Sequence, residues 1–295
     1  VGQLVRAYYN LGYDYLFLNV YPPWWSPARV GEDTASPTRR SGRAWADEMR
    51  GPISSWRDLD SFQWGGLADV DTWPLEYAAQ TLPVGMGLIV CTRGVMDWLM
   101  KLMGLEGLCY ALADAPDLVG AIAERVGKHV LRLVLRLTRM QRVGAITSED
   151  DMGFKTSTLI APAALRRYVL PWTKRFVDAT HACGMPFILH SCGNVERIMD
   201  DLIDDVGIDA KHSYEDAIMP MAQVKGRYGR RMCILGGLDM HLLASGSEEE
   251  VRAATRQVIQ DCAPGGGFAV GSGNTIANYV PLDNYFAMLN EARSA

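Results

Sequence analysis

The chain has no run of about 20 apolar residues and no leader-like segment, so its sequence predicts neither a membrane-spanning helix nor a secretion signal. It has no basic excess either. Against 29 Lys and Arg stand 34 Asp and Glu, a net charge of −5. No basic stripe with interleaved aromatics occurs, which removes nucleic acid as an expected partner. The six cysteines (Cys91, Cys109, Cys183, Cys192, Cys233 and Cys262) lack disulfide-type spacing and read as reduced thiols of a cytoplasmic protein. Also missing is a glycine-rich phosphate turn after the first strand, which counts against a doubly wound open sheet. What remains is an ordinary globular composition, 48% hydrophobic and 21% charged, in 295 residues, enough for one large barrel or two smaller domains.

Apolar runs ending in polar or glycine-rich residues recur along the chain and predict strands at 14–20, 84–91, 144–147, 186–190, 208–211, 232–235 and 267–270. Helices are predicted between and around them, at 3–11, 95–105, 116–142, 162–183, 194–205, 219–228, 247–262 and 282–293. The longest carries Leu118, Ile122, Val126, Val130, Leu133, Leu137 and Met140 at spacings of three or four, an amphipathic stripe. Ser247 with Glu250 three residues on is a capping-box pattern. Residues 26–52, rich in Arg, Ser, Thr and Gly, form an excursion compatible with a hairpin. Strands separated by helices imply right-handed βαβ units and a parallel sheet. The expected architecture is α/β, a (β/α)8 barrel occupying residues 1–295 as one domain. Seven strands are counted, and a first strand is expected to precede Val1.

In such a barrel the loops after the strands form the active-site face. Strand 186–190 ends in His190-Ser191-Cys192-Gly193. Residues two apart on a strand point the same way, so an imidazole and a thiol can converge on one point, and zinc favours such donors. A buried histidine and a small apolar cysteine at a strand end are the plain alternative. Glu149, Asp150 and Asp151 follow the third strand and suggest a site; alternatively they cap the next turn or face water. Arg93 follows the second strand, His212 and Glu215 the fifth, Asp239 the sixth and Asn274 the seventh. The first strand runs into Tyr21-Pro22-Pro23-Trp24-Trp25, a stiff aromatic loop that could stack on a flat ligand or pack over the barrel mouth. Arg39, Arg40 and Arg43 in the excursion could meet an acidic partner or stay solvated.

Gly12-x-Asp14 before an apolar strand, Gly51-Pro52-Ile53, Pro162 with Tyr168-x-x-Pro171, Ile188-Leu189-His190, Gly236-Gly237-Leu238-Asp239 and Pro281-x-Asp283-Asn284 together resemble the uroporphyrinogen decarboxylase superfamily over essentially the whole chain. The resemblance implies a (β/α)8 barrel and two possible chemistries: the heme-pathway decarboxylation, or zinc-dependent transfer of a methyl group between a corrinoid and a thiol. Against the decarboxylase pattern, the aspartate after the first strand falls on Tyr21 and the active-site tyrosine falls near Trp98. The Phe-Asp-Ser segment falls on Ser148-Glu149-Asp150, and the late Gly-His-Gly falls near Gly273-Asn274. Losing those polar contacts counts against recognition of a substrate with eight carboxylates. The methyltransferase pattern matches at His190-x-Cys192, but its later cysteine is absent from Gly271-Ser272-Gly273-Asn274.

The resemblance therefore implies a methyltransferase working with a corrinoid protein, with zinc on His190, Cys192 and one or two acidic or histidine donors of the rim, for which Glu149, Asp150, Asp151, His212 and Glu215 are candidates. Asp150, His212, Asp239 and Asn274 are the expected catalytic or orienting groups. Tyr21, Trp24, Arg93, Trp98 and Glu215 are expected to bind substrate or cofactor. The alternative is a metal-free decarboxylase or lyase in which Arg93 holds a carboxylate and Asp150 or His212 moves the proton. A second alternative is a non-catalytic barrel that binds a tetrapyrrole or corrinoid.

Overall fold

The computed structural model describes residues 1–24, 28–32, 42–46 and 49–295. Trp25, Arg39 and Arg40 lie outside the described residues. The strands, in chain order, are β1 (Tyr15–Asn19), β2 (Ala28–Glu32), β3 (Gly42–Ala46), β4 (Gly87–Arg93), β5 (Val143–Glu149), β6 (Phe187–His190), β7 (Ala210–His212), β8 (Cys233–Leu238) and β9 (Phe268–Ser272). Strands β2 and β3 pair antiparallel, the hairpin of the excursion. The other seven form one sheet in the order β1-β4-β5-β6-β7-β8-β9, and every pairing is parallel. Apart from the β2–β3 insertion between β1 and β4, strand neighbours in space follow one another in sequence, as successive βαβ units require. Among the described residues this is a (β/α) barrel of seven strands, where a full barrel has eight.

The amphipathic stripe is the clearest case of pattern becoming packing. In the helix Pro116–Leu137, Leu118, Ile122, Val126, Val130, Leu133 and Leu137 are all buried, while Met140 lies beyond its end. Burying each such side chain contributes about 1.5–3 kcal/mol, which far outweighs the weak helix propensity of valine and isoleucine. The helix expected over 162–183 is two helices, Pro162–Tyr168 and Leu170–His181. Pro171 explains the break, because it has no N–H to offer the carbonyl four residues earlier. The segment expected to be helical at 194–205 is instead a 3₁₀ turn, Glu196–Ile198, followed by a wide π turn, Asp201–Val206. No described helix is long and apolar enough to cross a membrane.

Register brings the site together. Glu149 pairs with His190, and His190 pairs with His212, so the tips of β5, β6 and β7 stand side by side.

Candidate metal centre

Just past β5 and β6 the two loops touch through glycines. Gly153 N–H donates to the Cys192 carbonyl at 3.2 Å, and Phe154 bridges Asn194. A Cβ on Gly153 would lie 2.6 Å from Asn194 N and the Cys192 oxygen, and one on Gly193 would lie 2.4 Å from the Gly153 carbonyl. Gly193 also has φ +73°, a left-handed value open to glycine. These two residues let the backbones approach closely enough for the side chains of both loops to meet.

The side chains that meet are Asp151, His190 and Cys192, whose donor atoms all lie within 4.8 Å of one another. Asp151 Oδ1 accepts the Cys192 N–H at 2.8 Å, and His190 Nε2 lies 3.5 Å from Cys192 Sγ. Two further donors converge on the same sulfur, Ser213 Oγ at 3.4 Å and Asn274 Nδ2 at 3.3 Å. A thiol is a weak acceptor, so two donors aimed at it suit a thiolate better. Without a cation, burial and then the Asp151 charge push the Cys192 thiol up to about 11.

The outer shell fixes the histidine. His212 Nε2 faces the Ser272 carbonyl at 3.2 Å, and its Nδ1 lies 2.8 Å from Nδ1 of His190. A carbonyl only accepts, so His212 carries its hydrogen on Nε2 and accepts at Nδ1. His190 then donates from Nδ1, which leaves its Nε2 lone pair facing Cys192. Burial favours the neutral rings, lowering His190 and pulling His212 down to about 4. A metal-binding histidine has this same arrangement, with its other nitrogen tied to an outer partner. Nitrogen, sulfur and carboxylate oxygen are zinc donors, and three protein ligands leave a place for a substrate atom. The residues present therefore fit a zinc ion.

The other expected residues are placed as follows. Glu149 is not in the donor cluster; its Oε2 accepts the Tyr21 hydroxyl at 2.7 Å, and Arg93 Nε is 3.9 Å away. The acidic member of the cluster is Asp151. Asp150 is fully buried and turned from the crater, its Oδ1 accepting Asp97 N–H at 2.9 Å in the first turn of the helix Val95–Met103. Arg93 pairs with Asp97 at 2.8 Å and stacks over the Tyr21 ring at 3.8 Å. Trp24 and Trp98 are buried against each other, their rings 4.5 Å apart, and Trp24 Nε1 donates to the Trp64 carbonyl. Tyr21, Trp24, Arg93 and Trp98 line a cleft of about 400 Å³. Asp239 caps the short helix Met240–Ser245 by accepting His241 N–H at 2.7 Å. Glu215 lines a separate small cavity beside Lys211 and Tyr214. Sequence reasoning missed Ser213 and Gly153. The first has no marker beyond its place after a strand, and the second could be suspected only from its position in the loop after the three carboxylates.

The fold and the convergence of donors at its strand ends define a (β/α)-barrel protein with a candidate metal site in the crater. The sequence model of the family described as uroporphyrinogen decarboxylase (URO-D) matches residues 75–295, and the chain belongs to that family. Among solved structures it is similar to a methyltransferase from Methanosarcina mazei, with 15% identity and a TM-score of 0.71 over 99% of this chain and 84% of that one. It is also similar to a putative vitamin-B12-independent methionine synthase from Listeria monocytogenes, with 11% identity and a TM-score of 0.56 over 99% and 83% of the chains. A B12-independent methionine synthase from Shewanella sp. W3-18-1 gives 10% and 0.55 over 99% and 86%. At these identities the likeness is one of fold. No curated protein is significantly similar in sequence.

Proposed function

We propose that the chain is a zinc-dependent methyltransferase that moves a methyl group between a corrinoid carried by a partner protein and a thiol acceptor. The observation that carries this reading is the approach of Asp151, His190 and Cys192 donor atoms to within 4.8 Å of one another in the crater. The likeness to the Methanosarcina methyltransferase supports it. When bound, zinc would supply the positive charge that turns a coordinated acceptor thiol into a nucleophile near neutral pH.

The chain's own residues prepare that place. His212 and Ser272 hold the His190 tautomer, so its Nε2 keeps a lone pair. Ser213 and Asn274 donate to the Cys192 sulfur and stabilise it as an anion. Asp151 binds the Cys192 backbone and brings a negative charge beside it. The aromatic cleft of Tyr21, Trp24 and Trp98, about 400 Å³, gives an acceptor or the edge of the corrinoid an apolar wall. All six cysteines are free, which suits a reducing cytoplasm.

A metal-free lyase needs Arg93 open to a substrate carboxylate and Asp150 or His212 as the proton carrier. Arg93 is held by Asp97, Asp150 faces a helix N-terminus, and His212 is bonded at both nitrogens, so methyl transfer is the better-supported reading. The test is metal content and turnover together. Protein purified without chelator is expected to carry close to one zinc per chain and to lose it in His190→Ala and Cys192→Ser. Methyl transfer from methylcobalamin to a small thiol should stop in EDTA and return with zinc. Turnover that persists without metal would refute the proposal.

A further inference from the structure

Behind the donor cluster sits a buried charge that is not one of the donors. Lys211 lies in β7 one residue before His212, so its side chain leaves the opposite face of the strand from the crater histidine. It is 2% exposed. Its Nζ donates to the Ser191 carbonyl at 3.0 Å and to the Ser213 carbonyl at 2.6 Å, with the His212 carbonyl at 3.5 Å and the Tyr214 ring centroid at 4.2 Å. Among the described residues its hydrogen-bond partners are carbonyls and an aromatic ring lies beside it, with no ion pair to a carboxylate. Burying an ammonium this way is costly, and an apolar side chain of similar length would fill the space without that cost.

The two carbonyls it binds flank the candidate metal centre. Ser191 separates His190 from Cys192, and its carbonyl belongs to the peptide that leads into Cys192. Ser213 has φ +77°, unusual for a residue with a side chain, and that backbone presents its carbonyl to Lys211 while its Oγ donates to Cys192 Sγ. One ammonium thus ties the loop after β6 to the loop after β7, and each tie ends one step from the sulfur. Burial pulls the Lys211 amine down to about 8, opposed by the negative charge that Cys192 would carry on a metal and then by Asp151, Glu196 and Glu215.

We propose that Lys211 is the positioning residue of the metal centre: through the carbonyls of Ser191 and Ser213 it fixes Cys192 Sγ against His190 and Asp151, and it places a cation behind the two anionic donors. This rests on the metal reading above. The test uses full-length Lys211→Met, which keeps the length and removes both the tie and the charge, and Lys211→Gln, which keeps a neutral, shorter tie. Zn²⁺ affinity is measured by chelator competition, the Co²⁺-loaded absorption spectrum reports donor geometry, and circular dichroism of the metal-free proteins reports folding.

Folded Lys211→Met is expected to bind Zn²⁺ at least about tenfold more weakly, as outer-shell losses generally do, and to show an altered thiolate-to-cobalt band. Lys211→Gln is expected to fall between it and the wild type. Wild-type affinity or an unchanged cobalt spectrum in folded Lys211→Met would overturn the proposal. If Lys211→Met does not fold, Lys211→Gln decides: weaker Zn²⁺ binding supports the proposal and wild-type binding overturns it. A wild type that binds neither ion would instead refute the metal reading itself, so the two failures are distinguishable.

Discussion

His190 and His212 face each other across adjacent strands with their Nδ1 atoms 2.8 Å apart, and the Ser272 carbonyl at the far side of His212 decides which ring gives the hydrogen. The consequence is testable without an activity assay. His212→Ala removes the partner that holds the His190 tautomer and should lower zinc affinity by about 10–100-fold. Chelator competition measures this, and an unchanged affinity would mean that the ring pair is only packing.

Asp151 and Glu149 are separated by one residue but turn to different partners, the Cys192 N–H and the Tyr21 hydroxyl. Asp151→Asn should cost most of the bound zinc, because a carboxylate donor is lost and the amide is a poor ligand. Glu149→Gln should retain the metal, since that side chain is engaged by Tyr21 rather than by the donor cluster. Zinc content of the two purified variants separates the roles, and loss of metal in Glu149→Gln alone would reverse the assignment.

How far the sequence reached differs between these residues for a physical reason. Strand ends were legible because apolar runs stop abruptly, and the shared direction of His190 and Cys192 follows from the two-residue period of extended backbone. That period ends at Glu149, the last residue of β5, so it could not decide which of three successive carboxylates turns inward. The deciding contact is the N–H of Cys192, a residue 41 positions away. Lys211 was opaque for the same reason, since a lone lysine in a short strand reads as an exposed edge until the loops above it are placed. The aromatic loop was half legible: Tyr21 and Trp24 do line a cleft, yet Trp24 is buried by Trp64 and Trp98, partners that no local pattern links to it.

Asp150 gives a pH signature. Burial pushes its carboxyl up to about 8, and burial likewise raises Asp97 to about 6, so the native state holds protons that the unfolded chain releases near pH 4. A raised carboxyl contributes stability below the unfolded value that is lost as pH rises towards the folded value. Stability of the metal-free protein should therefore lose ground between about pH 4 and 8 relative to Asp150→Asn, which stays neutral and can still accept the Asp97 N–H. Urea denaturation at several pH values measures the difference. Parallel curves for the two proteins would contradict the buried, proton-holding role.

The glycine contact gives a prediction on packing. Gly153→Ala places a Cβ 2.6 Å from backbone atoms of Cys192 and Asn194, neither of which can swing away as a side-chain end could. A stability loss of about 1–3 kcal/mol is expected, the usual range for overpacking, together with weaker zinc binding because the two loops are forced apart. Thermal melting and chelator competition on the same variant read both effects. A loss of stability with unchanged zinc affinity would show that the loops carry no geometric information to the donors.

Zinc-edge X-ray absorption of the protein purified without chelator tests the central claim most directly. The expected shell is one sulfur at about 2.3 Å with nitrogen and oxygen neighbours at about 2.0–2.2 Å, and the sulfur is expected to vanish in Cys192→Ser. A protein that retains no zinc, or a zinc shell without sulfur, would contradict it.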